Sequence, residues 1–168
     1  MKSKIIPKEA DRLIADILMG ERNFENRTVM RYDFSTHPHT PAVQDYLAKE
    51  MSADKLRERP FNFYSCDLTR VSIPFPLGHS QFSNSILFHV RFHPELSELT
   101  GTTFRDCVLK DVEFPYRAEG IETGTSVLTK VRTPAYEERG KANVSLLDAF
   151  RSIPVARSIG KMFTRYHT

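Results

Sequence analysis

The chain has 168 residues and a mass of 19.4 kDa, the size of one domain, and 40% of its residues are apolar. With 24 Lys and Arg against 21 Asp and Glu the net charge is +3, which indicates neither a strongly acidic DNA mimic nor a strongly basic nucleic-acid-binding protein. No apolar run approaches the ~20 residues of a membrane span, and early charges argue against a Sec-type signal peptide. A cytoplasmic location is expected, with secretion by a signal-peptide-independent route as the alternative.

The first predicted element is an amphipathic helix within residues 1–20. Pro7 suits its first turn and Gly20 its end. Its apolar residues follow the i, i+3, i+4, i+7, i+8 spacing of one helix face: Ala10, Leu13, Ile14, Ile17 and Leu18. We expect this helix to cap the N-terminal end of the β region that follows, because the end of a stack of strands leaves backbone groups unpaired.

Four stretches of the chain share one spacing. They begin at Phe24, Phe63, Phe82 and Phe104, and in each the residues at offsets 0, +5, +8 and +10 are apolar or aromatic. This spacing matches neither the strict alternation of an ordinary strand nor the 3.6-residue period of a helix. Two inward residues in every five indicate a chain that turns a corner every five residues.

A chain that turns in this way closes a coil in about twenty residues, and stacked coils place equivalent residues above one another at about 4.8 Å. The four phenylalanines are therefore predicted to form one column. A second predicted column contains Val29, Leu68, Leu87 and Leu109.

The pattern resembles that of the pentapeptide-repeat family, whose five-residue unit has Phe or Leu at its centre and a small residue two places earlier. Cys66, Ser85 and Cys107 stand two places before a leucine, and Val71, Val90 and Val112 two places before Ile73, Phe92 and Phe114. The resemblance implies a mostly β fold of about four coils, a right-handed quadrilateral β-helix (solenoid) with capping and inserted α-helices, and it suggests a bacterial origin. Arg27 departs from the pattern, since it occupies the small inward position of the first stretch.

The whole of 1–168 is expected to form a single domain, with the irregular β-helix over 22–116 and a helical insertion at 41–57. The insertion begins at Thr40 and Pro41 and carries apolar residues on one side: Val43, Tyr46, Leu47 and Met51. Residues 117–141 are expected to be a loop region with one strand at 126–131. Residues 142–168 are expected to be a C-terminal helical segment that Pro154 interrupts.

Candidate catalytic and metal-binding groups are few. Cys66 and Cys107 occupy the small inward column, where we expect buried, inert thiols. His37 and His39 frame a proline, and His89 and His93 straddle a predicted strand, so neither pair predicts a metal site. No phosphate-binding loop, nucleophile elbow or zinc-protease motif is present. We therefore predict no catalytic residue, no metal and no cofactor.

The outward positions predict a binding surface. Offset +7 places Arg31, Arg70, His89 and Asp111 on one outside edge, and we take Arg31, Arg70 and His89 as candidate binding residues for phosphate or an acidic protein. Solvated charges that merely oppose aggregation are the alternative interpretation of this edge.

The C-terminal segment predicts a second binding surface. Arg157, Lys161 and Arg165 recur every four residues beside apolar residues, a pattern typical of helices that bind a membrane surface or a partner. A C-terminal cap with its basic side in water is the alternative interpretation. The resemblance adds a third one, a homodimer formed through Phe150, Phe163 and Tyr166.

Three functions follow from these patterns. The leading hypothesis is a non-catalytic protein-interaction module of bacterial type, either a secreted effector or a cytosolic binder, because β-solenoids offer surfaces rather than pockets. The alternative is a gyrase-protecting pentapeptide-repeat protein that imitates DNA, which the +3 charge opposes. The second alternative is a small enzyme with a site in the loops around His37 and His39 or in residues 115–141.

Overall fold

The computed structural model describes residues 7–133. Contacts divide the chain into two units, Met1–Pro134 and Ala135–Thr168, and the described residues belong to the first. The single domain over 1–168 stays a prediction, and the C-terminal helical segment at 142–168 lies outside the described residues. Residues 7–133 are mostly β, with short parallel strands and three α-helices.

The strands are β1 (Asn23–Glu25), β2 (Thr28–Asp33), β3 (Asn62–Tyr64), β4 (Asp67–Ile73), β5 (Gln81–Ser83), β6 (Ile86–Phe88), β7 (Arg91–Phe92), β8 (Thr103–Arg105), β9 (Val108–Lys110) and β10 (Val127–Thr129). The helices are α1 (Lys8–Leu18), α2 (Thr40–Ser52) and α3 (Lys55–Glu58), and a 3-10 turn spans Phe34–Thr36. The N-terminal helix and the helical insertion thus lie where the sequence predicts them. Within residues 7–133, no helix has the length and apolar character that crossing a bilayer requires.

Gly20 terminates helix α1. Gly20 has a φ of +85°, its N–H donates to the carbonyl of Ile17, and the N–H of Glu21 donates to that of Asp16. This pattern satisfies carbonyls that the helix end would leave without partners, and glycine adopts the left-handed conformation without steric cost. The apolar face of α1 is buried, whereas Leu18 at its end is 37% exposed.

All strand pairs are parallel and fall into two sheets. The first sheet has the order β1-β3-β5-β8, and the second has the order β10-β9-β6-β4-β2, with β7 also paired to β4. Each sheet therefore takes strands from successive repeats of the sequence, at the same offset from the leading phenylalanine. The predicted mostly β architecture is confirmed, with parallel strands in two sheets.

Both predicted columns are present. Phe24, Phe63, Phe82 and Phe104 pair in register along the first sheet, and consecutive ring centroids are 5.0, 4.6 and 5.0 Å apart. Val29, Leu68, Leu87 and Leu109 pair in register along the second sheet. All eight side chains are at most 4% exposed and belong to one hydrophobic core.

A fifth repeat follows the four that the sequence pattern identifies. It begins at Thr123 and places Ser126, Leu128 and Val131 at offsets +3, +5 and +8, and Leu128 pairs with Leu109 in the second sheet. Ser126 Oγ accepts the N–H of Cys107 at 3.0 Å. In the third repeat Ser85 Oγ accepts the N–H of Cys66 at the same distance. The expected end of the β region at 116 is therefore too early, because threonine replaces the leading phenylalanine of this repeat.

Two further rows of backbone pairing connect the repeats. Ser72 pairs with Arg91, Arg91 with Glu113, and Glu113 with Arg132. In the other row, Pro76 pairs with Glu98 and Glu98 with Arg117. The described part of the predicted loop region, 117–133, therefore continues the rows of the preceding repeats.

Helices α2 and α3 lie between the first and second repeats in sequence. Val43, Leu47 and Leu56 are buried in the common core. Glu50 of α2 forms an ion pair with the buried guanidinium of Arg22, whose Cζ lies 4.4 Å from the centroid of the Phe61 ring. The insertion is thus attached both by apolar packing and by a charged contact at the start of the β region.

Candidate functional site

The predicted charged edge lies at a sharp turn of the backbone. Arg31 and Arg70 lie within β2 and β4, whereas His89 and Asp111 directly follow β6 and β9. Lys130 holds the same offset in the fifth repeat, after β10, and all five residues have φ between +52° and +57°. A positive φ lets the chain turn a tight corner, which projects the side chain outward. Arg31, Arg70 and His89 are all exposed, and the register of β2, β4 and β6 brings these three candidate residues to one edge of the surface.

A second charged column runs beside this edge. It is the row in which Ser72, Arg91, Glu113 and Arg132 pair through their backbones. Arg91 donates from Nε to Glu113 Oε2 at 2.6 Å and from Nη2 to Oε1 at 3.4 Å. This forked hydrogen bond raises the pKa of Arg91 above its already high ordinary value, so Arg91 stays charged at any physiological pH.

The two columns enclose a groove of about 320 Å³, which we call the charged groove. The ionisable residues that line it are Arg70, His89, Arg91, Asp111, Glu113, Lys130 and Arg132. Asp111 Oδ2 lies 3.8 Å from His89 Nδ1, and its Oδ1 lies 3.9 Å from Lys130 Nζ. Both acids of the groove are therefore neutralised by neighbouring cations, while Arg70 and Arg132 form no ion pair with any residue of 7–133.

An exposed apolar stripe borders the charged groove. Ile86, Val108 and Val127 pair in register on the outer face of the second sheet and are 46, 43 and 50% exposed. Phe88 extends this apolar stripe toward the groove, and its ring centroid lies 4.0 Å from that of His89. Solvent-exposed apolar side chains that stack along three adjacent strands are unusual on an outer sheet face, where polar residues are ordinarily found.

The imidazole group of His37 is not accessible to solvent. The His37 side chain is fully buried; its Nδ1 accepts the backbone N–H of His39 at 3.1 Å, and its Nε2 lies 3.4 Å from Asp11 Oδ1. His37 therefore links α1 to the start of α2. Across residues 7–133, no group of three or more His, Cys, Asp or Glu side chains is placed to hold a metal ion.

Cys66 and Cys107 are buried and unbridged. Burial raises the pKa of both thiols, because the apolar surroundings disfavour the thiolate. Each thiol contacts a backbone carbonyl: Cys66 Sγ lies 3.3 Å from that of Phe24, and Cys107 Sγ lies 3.2 Å from that of Arg105. Such thiols are packing groups that lack the exposure and low pKa of a nucleophile.

The second predicted binding surface falls outside the described residues. Arg157, Lys161, Arg165 and the aromatic residues Phe150, Phe163 and Tyr166 all lie beyond position 133. Membrane binding, partner docking and dimerisation through this segment stay predictions.

Sequence reasoning missed half of the charged groove. Lys130 and Arg132 stand at offsets +7 and +9 from Thr123, in the region 117–141 expected to be loop with one strand at 126–131, and Arg91 and Glu113 stand at +9 in their repeats. Offset +9 read in the third and fourth repeats would have found Arg91 and Glu113, and offsets +7 and +9 in a fifth repeat would have found Lys130 and Arg132. Comparison of the sequence with protein-family models and with curated proteins found no match.

Proposed function

We propose that this chain is a non-catalytic protein-interaction module built on a right-handed quadrilateral β-helix. Four rows of parallel backbone pairing support four faces: the first sheet, the second sheet, the row through Arg91 and the row through Glu98. Left-handed backbone conformations recur at equivalent positions between rows, as at Asn84 and Asp106 or His89 and Asp111, as corners require. The small inward residues Cys66, Ser85 and Cys107 support the similarity to pentapeptide-repeat proteins.

The observation that carries the function is the contiguity of the apolar stripe and the charged groove. Protein interfaces combine a desolvated apolar centre with a polar rim, and these two surfaces supply both parts side by side. The groove contains four permanent cations, Arg70, Arg91, Lys130 and Arg132, against two carboxylates, Asp111 and Glu113. The partner that complements it is an acidic protein segment with apolar residues beside its carboxylates.

This surface favours a protein partner over the alternatives. A DNA mimic needs a contiguous negative face, whereas the cations of the groove outnumber its acids. The solvent-exposed side chains of Ile86, Val108 and Val127 would not contribute to binding the charged backbone of a nucleic acid. The buried thiols and the buried His37 support a module without catalysis, acting either as a cytosolic binder or as a secreted effector of bacterial type.

Selection from a displayed library of random peptides tests the proposal, because it needs no identified partner. We expect selection on the wild-type chain to enrich peptides that contain Asp or Glu together with an apolar residue. Binding of these peptides should fall at least about tenfold in a Lys130→Glu/Arg132→Glu variant and in a Val108→Ser/Val127→Ser variant, because each removes one half of the surface. It should also weaken as salt is raised, since the groove cations are exposed.

Matched controls are available on the first sheet. Arg105→Glu reverses an exposed arginine there, and Tyr64→Ser removes an aromatic side chain that is 51% exposed. Both should bind the selected peptides as the wild type does. The proposal fails if the groove and stripe variants enrich the same peptides with the same affinity. Copurification followed by mass spectrometry then identifies the natural partner, which must lose affinity for the same variants as a purified protein.

A further inference from the structure

Arg31 and Arg70 lie directly opposite each other in adjacent strands of the second sheet. Their neighbours fix this register, because Met30 pairs with Thr69 and Tyr32 with Val71. Both arginines are exposed, and neither forms an ion pair with any residue between 7 and 133. The Cα atoms of the two arginines are thus held at the spacing of neighbouring parallel strands, about 4.8 Å, which places both guanidinium groups within reach of one ligand.

In other rows of the described residues, oppositely charged side chains face each other across repeats. Arg91 meets Glu113, Lys130 meets Asp111, and Arg117 Nη1 lies 3.5 Å from Glu98 Oε2. Like charges directly opposite each other in a sheet are destabilising. The Arg31–Arg70 pair therefore lacks a countercharge that the neighbouring repeats provide for themselves.

The backbone at these two positions also disfavours arginine. Arg31 and Arg70 have φ of +53° and +57°, a conformation that side chains other than those of Gly, Asn and Asp adopt at a steric cost. The preceding corner carries Asn26, Ser65, Asn84 and Asp106 at positive φ in the first four repeats, and three of these residues tolerate that conformation well. Two arginines placed side by side against both preferences indicate that their guanidinium groups are needed.

We propose that Arg31 and Arg70 form a clamp for a phosphate-type oxyanion, supplied by a phosphorylated side chain of the protein segment that binds the charged groove; the inference rests on the proposed function. Guanidinium groups present planar forks of N–H donors that match the oxygens of a phosphoryl group. Arg70 also lines the charged groove, so a peptide whose phosphoryl group binds the clamp can continue directly into the groove. Asp33, two residues after Arg31 on β2, already accepts hydrogen bonds at its Oδ1 from the N–H and the hydroxyl group of Ser35, at 3.0 and 2.7 Å.

The groove favours a single phosphoryl group over a nucleic-acid backbone. Beyond Arg70 and Arg91 its floor contains Asp111 and Glu113, which would face the successive phosphates of a nucleic acid. A peptide with one phosphoryl group can avoid these carboxylates or place a lysine or an amide against them.

The test compares a library of phosphoserine peptides with the same library unphosphorylated. We expect phosphorylation to strengthen binding at least about tenfold, and Arg31→Asn or Arg70→Asn to abolish that gain, since charge-assisted hydrogen bonds are lost. Inorganic phosphate should compete with the phosphopeptides, and Arg105→Asn should leave the gain intact. Thermal melts verify folding, which Asn permits because it tolerates positive φ.

The outcomes separate the clamp from the proposed function. Arg31 does not line the charged groove, whereas Lys130 and Arg132 do. Peptide binding that depends on Lys130 and Arg132 but not on phosphorylation or Arg31 overturns the clamp and leaves the interaction module intact. In another outcome, phosphorylation strengthens binding in a way that depends on Arg31, while the Lys130→Glu/Arg132→Glu variant binds normally. That result supports the clamp and contradicts the role of the charged groove in binding. A single-stranded oligonucleotide that binds as tightly as the phosphopeptides, with the same dependence on Arg31, overturns the assignment to a phosphorylated protein.

Discussion

Arg27 Nη2 donates to Asp16 Oδ2 at 2.6 Å, which joins the first repeat to helix α1. Arg27 holds the inward position that Cys66, Ser85 and Cys107 hold in later repeats. Its charged side chain is accordingly only 15% exposed. Helix α1 supplies the negative charge that makes the buried guanidinium tolerable, because Glu9 Oε2 also lies 3.8 Å from Arg27 Nη1. The odd residue of the repeat pattern is thus explained by its position at the capped end.

Removal of this partner should lower stability. Asp16→Ala leaves a mostly buried guanidinium with only the distant Glu9 carboxylate, and we expect a loss of about 1–3 kcal/mol in the free energy of unfolding by urea. A further Arg27→Met change should restore part of that loss, because it removes the unpaired charge. Asp45→Ala, at an exposed position of α2, should change stability little. Additive effects of Asp16→Ala and Arg27→Met would show that the two residues are not coupled.

The inward and outward positions of one repeat should respond very differently to the same residue. Leu87 is fully buried between Leu68 and Leu109, so Leu87→Asp should prevent folding, and Leu87→Ala should cost about 2–5 kcal/mol. Arg91→Asp, four residues later, should cost below about 1 kcal/mol, because the Arg91 side chain is 65% exposed. Circular dichroism and urea titration measure both. Equal losses at the two positions would contradict the inward packing of Leu87.

Substitution at the charged edge should separate stability from binding. Arg70→Asn replaces a residue that adopts positive φ at a cost with one that tolerates it, so the free energy of unfolding should be unchanged or rise by up to about 1 kcal/mol. The same change at Arg105, in strand β8, should lower it by up to about 1 kcal/mol, because asparagine is disfavoured in strands. Differential scanning calorimetry compares the two. A destabilised Arg70→Asn variant would indicate that Arg70 serves the fold.

The two buried thiols predict a dependence of stability on alkaline pH. Burial raises the pKa of Cys66 and Cys107 in the folded chain, so unfolding is favoured once the exposed thiols of the unfolded chain ionise. Their contribution is fully present below about pH 8.5, the ordinary thiol pKa, and is lost as pH rises through the folded-state values.

Urea unfolding at increasing pH measures this decline, and a Cys66→Ala/Cys107→Ala variant is the control. Burial also raises the pKa of Tyr32, so a later loss near pH 10 should persist in that variant. Native thiols should react slowly with a thiol reagent until urea unfolds the chain. Rapid reaction of the folded protein at neutral pH would contradict the burial of both cysteines.

How far the sequence alone can predict this protein depends on the kind of position. The columns through Phe63 and Leu68 were predictable because an inward side chain must be apolar in every repeat, and that constraint leaves a periodic pattern in the sequence. Outward positions carry no such constraint: Arg91 and Glu113 meet only because the repeats stack in register. The fifth repeat was not predicted because Thr123 replaces the phenylalanine that marks the other four, although the strand that follows it still pairs in register.

The amino-acid sequence by itself determined the inside of this protein: which residues face the core, where α1 begins and ends, and that equivalent side chains stack. Only the tertiary structure decided which polar and charged side chains meet, including the countercharges of Arg27, the contact of His37 with α1, and the contiguity of the apolar stripe with the charged groove. The physical reason is that burial acts on each residue separately and at a fixed period, whereas surface contacts join residues that are distant in sequence. Such contacts exist only once the strands are aligned.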